Sequence, residues 1–146
     1  MAKPESAVEC FTCGFNCAQA VLSTYGPELG IDRITALKTA GPFGGGMGRM
    51  GETCGAVTGA FMTIGLKYSM TKQGEEELRN KGYELVRIFT EKFKLKHGSI
   101  KCRDLLQADI GTPEGYKLAA EKKLFRTICP GLVNDASLIL EELLEL

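Results

Sequence analysis

The chain has 146 residues, the usual length of one folded domain. Lysine plus arginine and aspartate plus glutamate each number 18, so the formal net charge is zero. The sequence therefore lacks the basic excess typical of proteins that bind nucleic acid. Apolar residues make up 44% and charged residues 25% of the chain, which is typical of a folded globular protein and not of a disordered one.

The first ten residues contain no apolar segment of the kind found in export signals. The longest uncharged stretch near the middle, residues 53–66, is too short to cross a bilayer, which needs about 20 apolar residues. We therefore expect a cytoplasmic protein without membrane insertion. In that compartment its six cysteines are more often metal ligands or redox thiols than structural disulfides.

The first clear structural signal is a helix start at residue 16. Asn16 is followed three positions later by Gln19, which is the pattern of a capping box and predicts a helix over residues 17–25. The alternative is one helix over residues 6–25 with Gly14 in its interior, at a cost of about 1 kcal/mol. We favour a break at Gly14.

Two cysteines, Cys10 and Cys13, precede this helix in a segment that we expect to be short and partly mobile. Their spacing is that of a thioredoxin-type pair, but no strand–helix–strand pattern surrounds them, and Gly14 stands where a c-type haem motif needs histidine. They form either a labile local disulfide or a pair of partly exposed thiols without a role.

A glycine-rich segment, residues 41–51, follows and is predicted to be a loop before the central helix. Residues 46–51 match the letters of a dinucleotide-binding fingerprint, which requires a preceding strand. Residues 34–40 indicate a helix there instead, so we interpret the match as chance.

The central helix is predicted to begin near Thr53. Gly55 and Gly59 are four positions apart, with Ala56 and Ala60 beside them, so one face of this helix is almost bare backbone. Such a face allows a neighbouring helix or a cofactor to approach very closely.

A long amphipathic helix is predicted over residues 75–95, with glutamates at its start, lysines near its end and Gly98 as its stop. Its apolar stripe consists of Leu78, Leu85, Val86, Phe89 and Phe93. The only histidine, His97, lies at the end of this helix, where we expect it to interact with the helix dipole and not with a metal. Without a second histidine, a His-centred catalytic triad has little support.

Thr112 and Pro113 indicate another helix start, and the tail contains a last helix. The predicted buried face of the tail helix consists of Ala136, Ile139, Leu140 and Leu143. Together these signals predict an all-α fold, a compact bundle of about five helices in a single domain over residues 1–146, with the glycine-rich loop before the central helix.

Four further cysteines each lie at or within one turn of a predicted helix N-terminus. These four, which we call the cysteine quartet, are Cys17, Cys54, Cys102 and Cys129. Ser99 is the expected cap before Cys102, and Pro130 suits a helix start at Cys129. Free backbone N–H groups at helix N-termini favour a thiolate over a thiol. The alternative is that four small apolar side chains fill a tight helical core.

Five segments together resemble one protein family. They are residues 16–21, 44–48, 54–60 and 102–106 and the dipeptide Cys129–Pro130. On these segments the chain resembles the C_GCAxxG_C_C family of redox-active proteins over nearly its whole length. The most specific element, Cys-Gly-Ala-x-x-Gly, is matched in full by residues 54–59, and the cysteine quartet corresponds to the family's hallmark cysteines. The resemblance implies a small helical redox protein, and its likeness to the non-haem part of split-Soret cytochromes implies an iron–sulfur centre.

We therefore expect the quartet to hold an iron–sulfur cluster for electron transfer with a redox partner protein, with Gly55 and Gly59 as cofactor contacts. The wide spacing of the quartet differs from the paired cysteines of zinc ribbons. One alternative is a metal-free thiol–disulfide protein in which two of the four cysteines, for example Cys17 and Cys54, cycle between thiol and disulfide. Another is a helical interaction module with structural zinc in the same four positions. Enzyme activity as an oxidoreductase and homo-oligomer formation stay open. If the quartet forms one site, its sulfurs should share a single cavity.

Overall fold

The computed structural model describes residues 1–146 and is all-helical, as predicted. The α-helices are α1 (Lys3–Thr12), α2 (Cys17–Tyr25), α3 (Arg33–Ala40), α4 (Gly55–Lys67), α5 (Glu76–His97), α6 (Cys102–Leu106), α7 (Pro113–Glu121), the single turn α8 (Leu124–Thr127) and α9 (Cys129–Leu144). Short 3-10 turns lie at Pro27–Leu29 and Gly41–Phe43. The predicted number of about five helices is too low, because α1 and several short helices lack a long apolar stripe.

The break between α1 and α2 is confirmed. The Asn16 side chain accepts a hydrogen bond from the Gln19 amide at 2.9 Å, and the Gln19 side chain accepts one from the Asn16 amide at 3.0 Å. Gly14 has a φ of 117°, which favours glycine and interrupts any continuous helix here. Both halves of the predicted capping box are therefore formed.

The segment that contains Cys10 and Cys13 is longer than predicted, because it is the end of the ten-residue helix α1. Cys10 lies in the last turn of α1, and Cys13 is the residue that caps its C-terminus. Pro4 stands in the first turn of α1, and Ala7 is fully buried. The helix packs on α2 and α9.

α4 and α2 pack with their backbones close together. A methyl group on Gly59 would lie 2.8 Å from the Ala18 carbonyl oxygen and 3.2 Å from the Ala18 Cα atom. The bare face predicted for α4 is therefore a helix–helix contact, and it fixes the start of α2 beside the start of α4.

α5 begins and ends close to the predicted positions, and Gly98 has a φ of 85° at its C-terminus. Leu85, Phe89 and Phe93 are buried, but Leu78 is 37% exposed because the first turn of α5 extends beyond the core. In α9, the fully buried residue near the end is Leu144, whereas Leu143 is half-buried. The other predicted core residues of α9 are buried.

The main core is formed by α1, α2, α4, α5 and α9. The helices α6 to α8 build a second, smaller core beside it, which consists of Cys102, Leu106, Ala108, Ile110 and Ala119. The predicted cap of α7 is formed, since the Thr112 hydroxyl accepts a hydrogen bond from the Gly115 amide at 3.0 Å. No helix has the length and apolar character needed to span a bilayer.

The predicted cap at Ser99 is wrong. α6 is preceded by Lys101, without a side-chain cap. The Ser99 hydroxyl instead donates to the Asp104 carboxylate at 2.8 Å and accepts from the Lys101 amide at 3.0 Å. Because the Ser99 hydroxyl is bonded to the Asp104 side chain and to the Lys101 amide, it does not cap the first turn of α6.

Candidate cysteine site

The cysteine quartet lies at four helix starts that meet. Cys17, Cys102 and Cys129 are the first residues of their helices, and Cys54 is the residue immediately before α4. All four line one cavity of about 330 Å³. The prediction that the quartet shares a single cavity is therefore confirmed.

A short antiparallel contact holds two of the four in place. The Cys54 amide donates to the Ile100 carbonyl at 2.7 Å, and the Cys102 amide donates to the Glu52 carbonyl at 2.6 Å. Thr53 and Lys101 form the isolated β-bridge between these two bonds. This contact, which we call the 52–102 bridge, holds the segment that carries Cys54 alongside the segment that carries Cys102. A bridge of single residues leaves no alternating pattern in the sequence, so sequence reasoning missed it.

An ion pair lies beside the 52–102 bridge. The Arg103 guanidinium donates to the Glu52 carboxylate at 2.7 Å, and both side chains are partly exposed. Its contribution to stability is small, because exposed ion pairs are worth about 0–1 kcal/mol. The pair adds a side-chain contact between the two segments that carry Cys54 and Cys102.

Glycines surround the quartet at close range. A methyl group on Gly55 would overlap the Cys17 sulfur and lie 3.0 Å from the Ala18 amide nitrogen. Gly46, at φ 68°, would place a methyl group 2.7 Å from the Cys102 Cβ atom. Gly55 lines the cavity, whereas the missing side chain of Gly59 faces α2. Only the first of the two glycines expected to contact a cofactor therefore borders the cavity.

The glycine-rich segment before α4 brings a backbone donor to the site. After the 3-10 turn at Gly41–Phe43 the chain makes consecutive turns over residues 44–49, in which Met47 and Arg49 have φ values of 65° and 63°. The element before this segment is α3, not a strand, so the fingerprint match at residues 46–51 has no dinucleotide-binding context. The turns place the Gly45 amide against Cys17.

The Cys17 thiol is the acidic member of the quartet. A hydrogen bond from the Cys54 thiol, helped by the backbone amides of Gly45, Cys17 and Ala18, lowers the Cys17 pKa to about 7 against the opposing effect of burial. The same hydrogen bond, followed by burial, raises the pKa of Cys54 well above its usual value. Cys17 and Cys54 therefore behave as a thiolate and its thiol donor.

The other two thiols of the quartet stay protonated at neutral pH. Burial, and then the negative charge of Cys17, raise the pKa of both Cys102 and Cys129 to about 12. In the metal-free site, one thiol of four therefore ionises near pH 7.

The rest of the cavity wall is mainly apolar. Its large side chains are Phe11, Phe15, Leu105, Leu106, Ile110, Tyr116, Phe125 and Leu132. Arg49 is the one charged side chain in the wall, and its guanidinium lies 5.0 Å from the centre of the Tyr116 ring. No carboxylate lines the cavity. Sequence reasoning did not identify Arg49, whose position depends on its left-handed backbone conformation.

The remaining candidates lie elsewhere. The Cys10 sulfur is 3.7 Å from the Ser23 hydroxyl, and Cys13 is exposed. Neither lines the cavity. His97 ends α5, as predicted, but its ring bonds the Asp135 carboxylate of α9 at 2.9 Å and lies against Phe93. It joins two helices outside the site.

The donor set can be compared with the needs of different metals. No three side chains of His, Cys, Asp or Glu are grouped closely enough to hold a metal ion. A structural zinc ion needs four ligands at about 2.0–2.3 Å from one point, so the arrangement gives no support to the zinc alternative. In an iron–sulfur cluster the four cysteines bind different iron atoms of the cluster and need not all reach one point. Four cysteine thiolates are the usual ligand set. The quartet fits that set in number and type.

The family of the chain follows from comparison with known proteins. A family model described as "Putative redox-active protein (C_GCAxxG_C_C)" matches residues 15–143. The chain belongs to this family. The match includes the whole quartet and leaves Cys10 and Cys13 outside. No curated protein and no solved structure matches the chain.

Proposed function

We propose that this protein is an electron-transfer protein whose cysteine quartet holds an iron–sulfur cluster. One observation carries the proposal: the four cysteines come from four separate helix starts and line one cavity, whereas the two other cysteines do not. Catalysis through a disulfide would use only two of the four thiols. Packing of a hydrophobic core does not require cysteine at any of these positions. A four-thiol ligand set uses every member of the quartet.

The surrounding residues suit that role. When bound, the cluster would supply one-electron transfer, exchanged with a redox partner protein. The amides of Gly45 and Ala18 already direct hydrogen bonds at the Cys17 sulfur. Gly55 leaves space beside that sulfur, and the cavity wall around the site is mainly apolar. Such hydrogen bonds and burial are what tune the reduction potential of a cluster.

The thiols must lose their protons to act as ligands. In the metal-free site the pKa of Cys54 is raised by its interaction with Cys17 and by burial, and the pKa values of Cys102 and Cys129 are raised by burial and by the negative charge of Cys17. Bound cations reverse this preference, since a coordinating thiol is deprotonated. The quartet is therefore unfavourable as four thiolates without metal and suited to a metal centre that neutralises them.

The test is anaerobic purification from iron-supplemented cells, followed by visible absorbance and by iron and acid-labile sulfide analysis. We expect coloured protein, and single Ser variants of each quartet cysteine should lose most of the iron. Cys13→Ser is the matched control and should keep it. Colourless wild-type protein after anaerobic reconstitution, or equal iron in Cys102→Ser and wild type, would contradict the cluster.

A second candidate function is favoured by the Cys17–Cys54 hydrogen bond. A Cys17 thiolate can attack a substrate disulfide, forming a mixed disulfide and releasing one substrate thiolate. Cys54, once deprotonated, then attacks the Cys17 sulfur and releases the second substrate thiolate. The product is a Cys17–Cys54 disulfide and a substrate reduced by two electrons and two protons. Iron-free Cys54→Ser protein that accumulates a mixed disulfide at Cys17 would support this function in place of the cluster.

A further inference from the structure

Residues 103–128, which contain α7, α8 and nearly all of α6, form a flap beside the cysteine cavity. Every hydrogen bond made by residues 107–127 stays within residues 103–131. The one ion pair within residues 107–127, between Lys117 and Glu121, is local as well. The flap contacts the body at its start, where the Arg103 amide donates to the Gly51 carbonyl at 3.2 Å and the Arg103 side chain pairs with Glu52. Further along it contacts the body through Leu105 on the main core, the Tyr116 ring beside Arg49 and the packing of α8 on α9.

The flap is also loosely packed. The smaller core contains four buried residues of the flap, together with Cys102, against eighteen in the main core. The cysteine cavity separates its inner face, at Leu106 and Ile110, from Phe11 and Leu132 of the body. A second cavity of about 330 Å³ lies within the flap itself, between α6, α7 and α8. Segments with few buried apolar contacts and local hydrogen bonds open at low free-energy cost, so we expect the flap to open locally more readily than the main core.

Two cysteines of the quartet bracket the flap. Cys102 immediately precedes it and Cys129 immediately follows it. Cys17 and Cys54 belong to the body, where Cys54 is part of the main core and Cys17 packs against it. A group that binds all four therefore joins both ends of the flap to the body at one point.

We propose that the cysteine quartet is a clasp for this flap. This inference rests on the proposed cluster. When four thiolates hold one cluster, both ends of the flap are fixed and the cavity is covered. Each thiol that becomes a ligand gives its proton to solvent and forms one sulfur–iron bond, and no electron moves in that step. When the cluster is lost, the flap opens and exposes the apolar cavity wall. Binding or loss of the cluster thus changes which residues the protein exposes at its surface.

The test is hydrogen exchange measured by mass spectrometry on the full chain, metal-free and after anaerobic reconstitution with ferrous iron, sulfide and dithiothreitol. Flap amides should exchange at least about tenfold more slowly in the reconstituted protein, whereas α4 amides should change less than about twofold. The iron content of the same samples reports independently on the proposed function.

Arg103→Gln gives a second readout that leaves the quartet intact. It removes the ion pair to Glu52 at the start of the flap, so flap exchange should quicken about threefold in metal-free protein and stay unchanged in the reconstituted form. Arg87→Gln, on the exposed face of α5, is the matched control and should change neither form.

The outcomes separate the two proposals. Equal flap exchange in the metal-free and iron-loaded proteins overturns the clasp and leaves the cluster in place. A flap that is as protected as α9 in metal-free protein also overturns the clasp. Wild-type protein that takes up no iron overturns the proposed cluster and the clasp together.

Discussion

The Cys54 thiol lies beside the Cys17 sulfur in the cavity and is the largest cause of the low Cys17 pKa. The two residues come from the starts of α4 and α2, whose backbones touch at Gly59 and Ala18. The close packing of these two helices therefore also brings the two thiols together.

Removing the donor should raise the Cys17 pKa. The parent protein for this test is metal-free and carries Cys10→Ser and Cys13→Ser. In it, Cys54→Ala should slow the alkylation of Cys17 by iodoacetamide at pH 7 by at least about tenfold. The reason is that the thiolate fraction of Cys17 falls as its pKa returns toward the usual value. The rate in the parent protein should rise with an inflection near pH 7. Cys129→Ala is the control. An unchanged rate in Cys54→Ala would show that the backbone amides alone set the acidity.

The stability of metal-free protein should pass through a maximum between about pH 8 and 9. At lower pH, Cys17 is ionised in the folded state but protonated in the unfolded chain, so stability rises from about pH 7 toward this maximum. Above it, the unfolded chain releases protons that folded Cys54, Cys102 and Cys129 retain. Each such thiol then lowers the free energy of unfolding by about 1.4 kcal/mol per pH unit.

Urea unfolding between pH 7 and 10 under reducing conditions measures this profile. Tyrosines and lysines also titrate at the upper end, so the comparison is with Cys129→Ala, which should lose stability less steeply above pH 9. Parallel profiles of the two proteins above pH 9 would contradict the assignment for Cys129.

Gly59→Ala should destabilise the protein. Its methyl group would lie 2.8 Å from the Ala18 carbonyl oxygen, and overpacking of this kind costs about 1–3 kcal/mol, more than the gain in helix propensity. Gly131→Ala in α9 is the matched control, since nothing lies within 4 Å of the added methyl group, and it should be neutral or stabilising by up to about 1 kcal/mol. Thermal unfolding of metal-free protein compares the two, and equal melting temperatures would contradict the close contact.

Gly55→Ala should affect the site more than Gly59→Ala does. The added methyl group meets the Cys17 sulfur, so that sulfur must leave its present position. We expect Gly55→Ala to reduce iron content after reconstitution at least about threefold, whereas Gly59→Ala should lose iron only as far as it loses folded protein. Iron per folded protein distinguishes them, and full iron content in Gly55→Ala would show that the sulfur has room to adjust.

Replacing Cys10 and Cys13 together by serine should leave iron content and melting temperature within error of wild type. Both lie outside the cavity and outside the family match, and the Cys10 contact with Ser23 is a weak sulfur hydrogen bond. Loss of iron in the double variant would extend the ligand set beyond the quartet.

Local signals could be predicted from the sequence, and contacts between distant segments could not. The Asn16–Gln19 capping box and the Gly98 stop depend on residues a few positions apart, and both formed as predicted. The 52–102 bridge joins single residues from distant segments, and no periodic pattern marks such a contact. Serine is a common residue at helix N-caps, but the Ser99 hydroxyl donates its hydrogen bond to the Asp104 carboxylate, five positions later.

The quartet itself lies between these cases. Its positions at helix starts follow from local sequence, and its convergence follows from the packing of those starts. The apolar wall and Arg49 depend on how α6 to α8 cover the cavity, which no single segment encodes.

The 52–102 bridge also bears on how the chain folds. It closes a loop that contains α4 and α5, and closing long loops is entropically costly and slow compared with forming local helices. The helices therefore form before the quartet is assembled, and four reduced thiols are accessible during that interval. Oxidants that reach the nascent chain at this stage can join cysteines that the finished fold keeps as free thiols, so we expect the yield of correctly folded protein to depend on reducing conditions while the chain folds.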